Sequence, residues 1–519
     1  MSISVVRRML LRYSRLVCAA WVLYGGALWP TNTLLAASHG RPNIVIMLVD
    51  DMGMMDTSVP FLTDPAGTPV RYPLNDRYRT PNMARLAERG ICFNNFYAMS
   101  VCSPTRVSLM TGQNAARHRT TNWINPTTNN SGPHGDPEWN WRGLQNSDIT
   151  LAKLLKQNGY RTIHIGKGHF GPENTQGANP LNLGFDVNIA GAAIGSPGSY
   201  YGQENFGHGS QRSHNAVPHL QDYHGTKIHL SQALTLEAKR QISEAAASGL
   251  PFFLYFPHYA VHSPFQIDER FAENYKELNL SSQALAFATM IEGVDQSLGE
   301  VMDHLSLVGV AQDTLLIFLG DNGSDSPLGH EHAVACASPL RGKKGSHYEG
   351  GMRTAFIAAW AQPSLKNDNQ RLLPIAQGAI QSQVASVCDL FPTVLEMLHI
   401  PLPQGQTVDG RSLAIRLSGT RDTELAEQFL MHYPHGPHRS SYFTVLRDNG
   451  WKLIYHYFPS TVSNGSHYEL YNLHDDPFEQ HNLIAEMPTV LREMCLKMAA
   501  RLETSGAGYP KGCHGIVHP

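Results

Sequence analysis

Residues Asn43–Val49 read NIVIMLV and run directly into Asp50-Asp51. A short, unbroken apolar run fits a strand buried on both faces, because a strand with one wet face alternates instead. The arrangement recurs along the chain. Arg161–Ile165, Phe252–Phe256 and Leu315–Leu319 read as further strands. Gly166-Lys167-Gly168-His169 follows the first, His262 lies beyond the second, and Gly320-Asp321-Asn322-Gly323 follows the third. Helical patterns lie between them. Thr80-Pro81 opens a helix through Glu88, with proline at the first position and Gly90 past the end. Ile149–Gln157, Ser231–Ala247, Gln283–Leu307 and Asp389–Leu398 continue the series, and Ala355–Trp360 reads as one more strand. This alternation predicts an α/β fold, a doubly wound and mainly parallel sheet with helices on both faces. Ligands of such sheets gather beyond the carboxyl ends of the strands. Asp50, Asp51, Lys167, His169, His262, Asp321 and Asn322 are therefore expected along one edge.

The texture changes at Pro401, Pro403 and Gly405. Tyr442–Arg447, Trp451–Tyr457 and Tyr468–Tyr471 read as short antiparallel strands and Thr489–Leu502 as a terminal helix. The expected division is a main domain over 41–400 and a smaller C-terminal α+β domain over 401–519. Asn122–Gln145 and Gly171–Asp222 are rich in Gly, Pro, Asn and aromatics, and are expected to be ordered loops around a cleft.

Residues 1–37 have the layout of a secretory signal peptide. Arg7, Arg8, Arg12 and Arg15 precede an apolar stretch from Leu16 to Leu28, and the segment ends Leu34-Leu35-Ala36-Ala37. The apolar stretch is short for a bilayer span. Export to the periplasm or the exterior is expected, without stable membrane insertion; a retained anchor is the alternative. The chain of 519 residues has 40 Lys+Arg against 43 Asp+Glu. A general nucleic-acid binder would show a basic excess, so this balance argues against one. An anionic substrate stays open, since a few cations at one site suffice. Cys18 leaves with the leader, and the six remaining cysteines show no C-x-x-C spacing. That argues against a thiolate zinc site, while an exported chain can pair some of them.

Asp50, Asp51, Asp321 and Asn322 offer three carboxylates and an amide oxygen. An all-oxygen set suits a hard cation such as Ca²⁺ or Mg²⁺. For either pair alone the competing reading is a helix cap or a closed turn. Cys102-Ser103-Pro104-Thr105-Arg106 starts a helix, with Pro104 in the first turn and Arg106 one turn beyond Cys102 on the same face. A cysteine at a helix N-terminus beside a guanidinium is expected to have a lowered pKa and to be reactive. The competing reading is a small buried side chain.

Cys102–Arg106, continuing through Leu109-Met110-Thr111-Gly112, closely resembles the signature of type I sulfatases. Asp50-Asp51-Met52-Gly53 is similar to that family's first metal motif, and Asp321-Asn322-Gly323 to its second. Gly166–His169, His258–Pro264, Lys344–Gly351 and Glu469–Leu473 with Asp476-Pro477 resemble further motifs of the family, in family order. The resemblance implies an alkaline-phosphatase-like fold and sulfate-ester hydrolysis. It implies that a separate maturation enzyme oxidises Cys102 to formylglycine, whose hydrate is the nucleophile. It also implies Ca²⁺, with Mg²⁺ as the alternative, held by Asp50, Asp51, Asp321, Asn322 and the modified Cys102. Arg106, Lys167 and Lys344 would neutralise the sulfate, His262 or Lys344 would protonate the leaving oxygen, and His169 would deprotonate the second hydroxyl of the hydrate.

The expected substrate is a sulfated saccharide or a small sulfate ester. The saccharide reading rests on export and on Trp123, Trp139, Trp141, Tyr200 and Tyr201 in the long loops, which can equally fill a core. Two rivals stand beside it. One is a phosphodiesterase or phosphonate monoester hydrolase of the same superfamily, which a cysteine at the nucleophile position disfavours. The other is a non-catalytic binder of sulfated glycans. His258 is expected to be structural, and Lys343 to be solvated.

Overall fold

The computed structural model describes residues 40–329, 335–424, 426–436, 442–459, 465–517 and residue 519. The leader expected over 1–37 lies outside the described residues. Among the described residues, no helix is long and apolar enough to cross a membrane.

In chain order the strands are β1 (Asn43–Val49), β2 (Ile91–Phe93), β3 (Phe96–Tyr97), β4 (Arg161–Ile165), β5 (Val187–Ile189), β6 (Phe252–Pro257), β7 (Thr314–Gly320), β8 (Phe356–Trp360), β9 (Ala379–Gln381), β10 (Ala385–Ser386), β11 (Gln428–Tyr433), β12 (Phe443–Asp448), β13 (Trp451–His456) and β14 (Tyr468–Asn472). The longer helices are α1 (Pro81–Arg89), α2 (Cys102–Thr111), α3 (Leu151–Gln157), α4 (Leu230–Ser248), α5 (Ser282–Leu307), α6 (Leu390–Met397) and α7 (Pro488–Ser505). The main sheet has the order β5-β4-β6-β1-β7-β8-β2-β9. Only β8 runs against its neighbours, pairing antiparallel with both β7 and β2. The expected mainly parallel, doubly wound sheet is what forms.

β1 shows why its sequence does not alternate. Val45, Met47 and Val49 point into one core, shared with Met83 and Leu86 of α1 and the apolar sides of α4 and α5. Ile44, Ile46 and Leu48 point into the other, with Val107 and Leu109 of α2, Leu151 of α3 and Val394 of α6. Both faces are dry, so every position is apolar. Each fully buried side chain of this size contributes about 1.5–3 kcal/mol of transfer free energy.

β11 to β14 form an antiparallel meander. One side joins the second core through Phe429, Phe443 and Ile454. The other buries α7 through Met494, Met498 and Leu502. A buried ion cluster ties this small sheet to the turn before β8. Lys452 of β13 lies 3.0 Å from Glu349 and 2.5 Å from Glu479, with all three side chains buried. Glu469 of β14 accepts from Tyr348 Oη at 3.0 Å and from His456 Nε2 at 2.7 Å. Among the described residues, the six cysteines Cys92, Cys102, Cys336, Cys388, Cys495 and Cys513 are all free.

Candidate active site at the carboxyl edge of the sheet

The parallel strands deliver their polar residues to one place. Asp50 leaves β1 with its N–H on the Ala260 carbonyl at 3.0 Å, and Val261 N–H returns to the Asp50 carbonyl at 2.6 Å. That exchange fixes the segment beyond β6 that carries His262. Asp51 sits in the left-handed region at φ +61. Its N–H donates to Asp321 Oδ1 at 3.0 Å, joining the ends of β1 and β7. After β4 the chain turns at Gly166, φ +117, where a Cβ would stand 1.8 Å from the Pro257 carbonyl oxygen. Only glycine fits, and Lys167 N–H then donates to that carbonyl at 2.8 Å. Lys344 is drawn in by its N–H on the Ser324 carbonyl at 2.9 Å, and Gly345 by its N–H on the Ser100 carbonyl at 3.1 Å. That places Lys344 beside the N-terminus of α2, where Cys102 is the first residue.

The charges interlock. Lys167 Nζ lies 2.5 Å from Asp50 Oδ2. Lys344 Nζ lies 2.6 Å from Asp51 Oδ1. Arg106 donates from Nη2 to Asp321 Oδ2 at 2.7 Å and from Nη1 to the Lys167 carbonyl at 3.0 Å. All these side chains are buried. Burial works against ionising Asp51, yet Lys344 and then His262 hold it below the ordinary carboxylate range. Burial, and then the neighbouring Asp50, push Asp321 up to about 7 despite Arg106.

The donor set fits a hard cation. Asp50 Oδ1 and Asn322 Oδ1 are buried oxygens without a hydrogen-bond partner, and such groups are rare unless something else binds them. Asn322 orients that oxygen by donating from Nδ2 to Asp51 Oδ1 at 3.0 Å. Asp50, Cys102 and Asp321 bring one ligand atom each within 4.8 Å of one another.

His169, at φ +58, donates from Nε2 to the Ile124 carbonyl at 2.7 Å, and its Nδ1 is buried with no partner. His262 Nδ1 sits 2.8 Å from the Ser263 carbonyl and Nε2 3.7 Å from Asp51 Oδ2. Burial, opposed by Asp51, lowers His262 to about 4. The residues expected along one edge, together with Cys102, Arg106 and Lys344, do converge.

Two expectations need correction. The Cys102 thiol is raised above its ordinary pKa, not lowered: burial dominates, and Asp50 and Asp321 oppose Lys167 and Lys344. Arg106 spends its guanidinium on Asp321 and the Lys167 carbonyl. Lys343 is not solvated either; it is buried, 3.2 Å from Asp325 Oδ1 and 3.1 Å from the Ser326 carbonyl. His258 is structural as expected, buried with Nε2 3.1 Å from Ser297 Oγ.

A cavity of about 390 Å³ opens over Cys102, His169, His262 and Lys344. Its outer wall includes Trp123, Asn125, Thr127, Glu173, His214 and Asn215, from the two long loops. Sequence reasoning marked those loops but of these residues named only Trp123; loop polar residues carry no periodicity that would single them out. The other loop aromatics divide. Trp139 and Tyr200 are buried, Tyr200 donating to the Tyr259 carbonyl at 2.7 Å, whereas Trp141 lines a neighbouring hollow.

The sulfatase family model matches residues 42–400. The model for the C-terminal part of N-sulphoglucosamine sulphohydrolase matches residues 348–506. A sulfatase of Formosa agariphila is 28% identical over 573 aligned positions, covering 96% of each chain. The N-acetylgalactosamine-6-sulfatase of Mus musculus is 28% identical over 73% of this chain and 67% of that one. The crystal structure of Ps i-CgsB in complex with k-i-k-neocarrahexaose shares the fold, with a TM-score of 0.68 and 21% identity over 89% of this chain and 93% of that one. With its mainly parallel sheet and its active-site edge built as described, the chain belongs to the sulfatase family and is a sulfuric ester hydrolase.

Proposed function

We propose that the protein is an exported sulfatase acting on a sulfated carbohydrate, with Cys102 matured to formylglycine. The observation that carries this reading is the meeting of Cys102, Lys344, His169 and His262 around one cavity, with Lys167 buried against Asp50 behind it and two oxygens, on Asp50 and Asn322, left without a hydrogen bond. A Ca²⁺ ion held by Asp50, Asp51, Asp321, Asn322 and residue 102 would polarise the sulfate and favour the ionised nucleophile. In the structure the Cys102 Sγ stands where the hydroxyls of the hydrate would be. Those hydroxyls would supply a nucleophile and a second O–H through which sulfate could be released without water attacking sulfur.

The chain's own residues do the rest. Lys167 and Lys344 hold positive charge against the sulfate oxygens in a site fixed beforehand, where such charges act strongly. Arg106 keeps Asp321 and the Lys167 backbone in place. As the S–O bond to the alcohol breaks, that oxygen takes a proton from Lys344, or from His262 where its imidazole is protonated. His169 then accepts the proton of the second hydroxyl at Nδ1, the position its bond to the Ile124 carbonyl leaves bare. Trp123 offers a sugar an apolar face. The names of the N-acetylgalactosamine-6-sulfatase relative and of the oligosaccharide complex support a carbohydrate. The leader over 1–37 supports export, and the match over 42–400 supports 41–400 as the catalytic part, with 401–519 bracing it.

The test is production with a formylglycine-generating or sulfatase-maturating enzyme. Peptide mass analysis should find residue 102 as the aldehyde, and sulfate should be released from an aryl sulfate and from sulfated sugars. Cys102→Ala should fold and release none. Fully active protein with an ordinary thiol at 102 would sink the reading.

A further inference from the structure

The cavity over Cys102 does not close at Glu173. Glu173 also lines a second hollow of about 790 Å³, whose other walls include Trp141, Arg142, Asn146 and Gln176. The two spaces therefore share one wall residue. The backbone joins them into one surface. Glu173 N–H donates to the Pro126 carbonyl at 2.8 Å. Trp141 Nε1 donates to the Asn125 carbonyl at 3.1 Å. Asn146 N–H donates to Gln176 Oε1 at 2.6 Å. Asn125 and Pro126 line the first cavity, so its wall is the anchor of the second.

The two spaces differ in chemistry. The first has an exposed acid, Glu173, and one ammonium, Lys344, in its lining, and Lys344 is already engaged by Asp51. The second has a half-buried indole whose ring nitrogen is satisfied from below. Beside it stands the exposed Arg142, whose guanidinium makes no ion pair among the described residues. An indole is a large, rigid apolar surface with a polar edge, suited to a sugar face. A guanidinium grips planar or tetrahedral oxyanions through paired N–H bonds. Neither Trp141 nor Arg142 lines the first cavity.

We propose that the substrate is a chain of sugars. The residue bearing the scissile sulfate occupies the Cys102 cavity, the next lies on Trp141, and an anionic substituent of that second residue pairs with Arg142. Glu173 sits between them and faces the hydroxyls near the linkage. This deepens the proposed function and rests on it for what happens in the first cavity.

The measurement is calorimetric binding to Cys102→Ala protein. The probes are two-, four- and six-sugar fragments of chondroitin 6-sulfate and of κ-carrageenan, beside a sulfated monosaccharide. In one of the two series, four sugars should bind about ten-fold tighter than one. Trp141→Ala and Arg142→Ala should each remove most of that advantage. In matured enzyme the same variants should lower kcat/KM for the oligosaccharide relative to that for 4-nitrophenyl sulfate about ten-fold, through KM. Affinity independent of length in both series overturns the groove, as does a length advantage that both substitutions leave intact. Matured protein that releases sulfate from no ester would remove the function reading instead, and the binding series would still decide the groove.

Discussion

The Nε2–H of His169 is held on the Ile124 carbonyl at 2.7 Å, so its other ring nitrogen faces the site as a bare acceptor. Burial, reinforced by the Lys167 ammonium, keeps this imidazole well below its ordinary pKa and therefore neutral near pH 7. The arrangement suits a base for the second half of the proposed reaction. Matured His169→Ala should release about one equivalent of alcohol in a burst and then stall, because the acyl-enzyme logic of a trapped intermediate applies to a sulfo-enzyme as well. Steady-state kcat should fall about 100-fold or more. Mass spectrometry should find the protein heavier by one SO₃. A variant that loses the burst as well would place His169 in the first step.

The metal assignment rests on Asp50 Oδ1 and Asn322 Oδ1, two buried oxygens of the site without a hydrogen bond, with Arg106 Nη2 3.7 Å from the first. Chelation should abolish sulfate release and lower Tm, and Ca²⁺ should restore both. A ligand that binds only the folded state adds about 2.7 kcal/mol at a concentration 100-fold above its Kd, so Tm should climb with added Ca²⁺. Asp321→Asn should blunt that climb. A Tm and a turnover indifferent to both chelator and Ca²⁺ would remove the ion from the site.

Much of this edge was legible beforehand, for a physical reason. A strand buried on both faces must be apolar throughout, so β1 and β7 stand out, and the first polar residues after them are the site. The antiparallel β8 was also visible as a strand, but nothing in Phe356–Trp360 encodes its direction. The three-residue strands β2, β5 and β9 are too short for a pattern to emerge. The Cys102 thiol was misjudged because helix position and Arg106 are visible in sequence, while complete burial between Asp50 and Asp321 is not. Lys343 was misjudged likewise, since Asp325 lies far enough away along the chain to leave no local sign of the pairing.

Among the described residues no side chain of the small sheet lines the Cys102 cavity, yet the sheet is tied to the segment that carries Lys344. Lys452 bridges Glu349 and Glu479, and Glu349 N–H donates to Glu479 Oε2 at 2.8 Å. Glu349 lies five residues beyond Lys344. Lys452→Met removes the cation that Glu349 and Glu479 share, leaving Glu349 with Arg353 at 3.5 Å and both acids buried. Losing one partner of a buried pair costs about 3–5 kcal/mol, which for a chain of this length lowers Tm by about 3–5 °C. Calorimetry checks that figure. Turnover should drop alongside it, and the double variant Lys452→Met/Glu349→Gln should recover part of the stability. A Tm equal to that of the unsubstituted protein would show that the cluster is not a brace.

His258 gives a stability test independent of activity. It is buried beneath β6, with Nε2 3.1 Å from Ser297 Oγ on α5 and Nδ1 without a partner. Burial, and then His229, lower its pKa to about 3. In the unfolded chain the imidazole takes up a proton as pH falls through about 6.5, whereas the folded protein refuses it until about 3. Between those values the unfolded state binds more protons, so this group makes stability fall on acidification and rise with pH. At pH 5 its contribution is about 2 kcal/mol against folding. Glutamine cannot titrate there. His258→Gln should cost stability at pH 7, through imperfect packing and the Ser297 contact, and its disadvantage should shrink by about 2 kcal/mol by pH 5. Denaturant unfolding of both proteins at the two pH values measures the change, and a difference that stays constant would mean that His258 charges in the folded state.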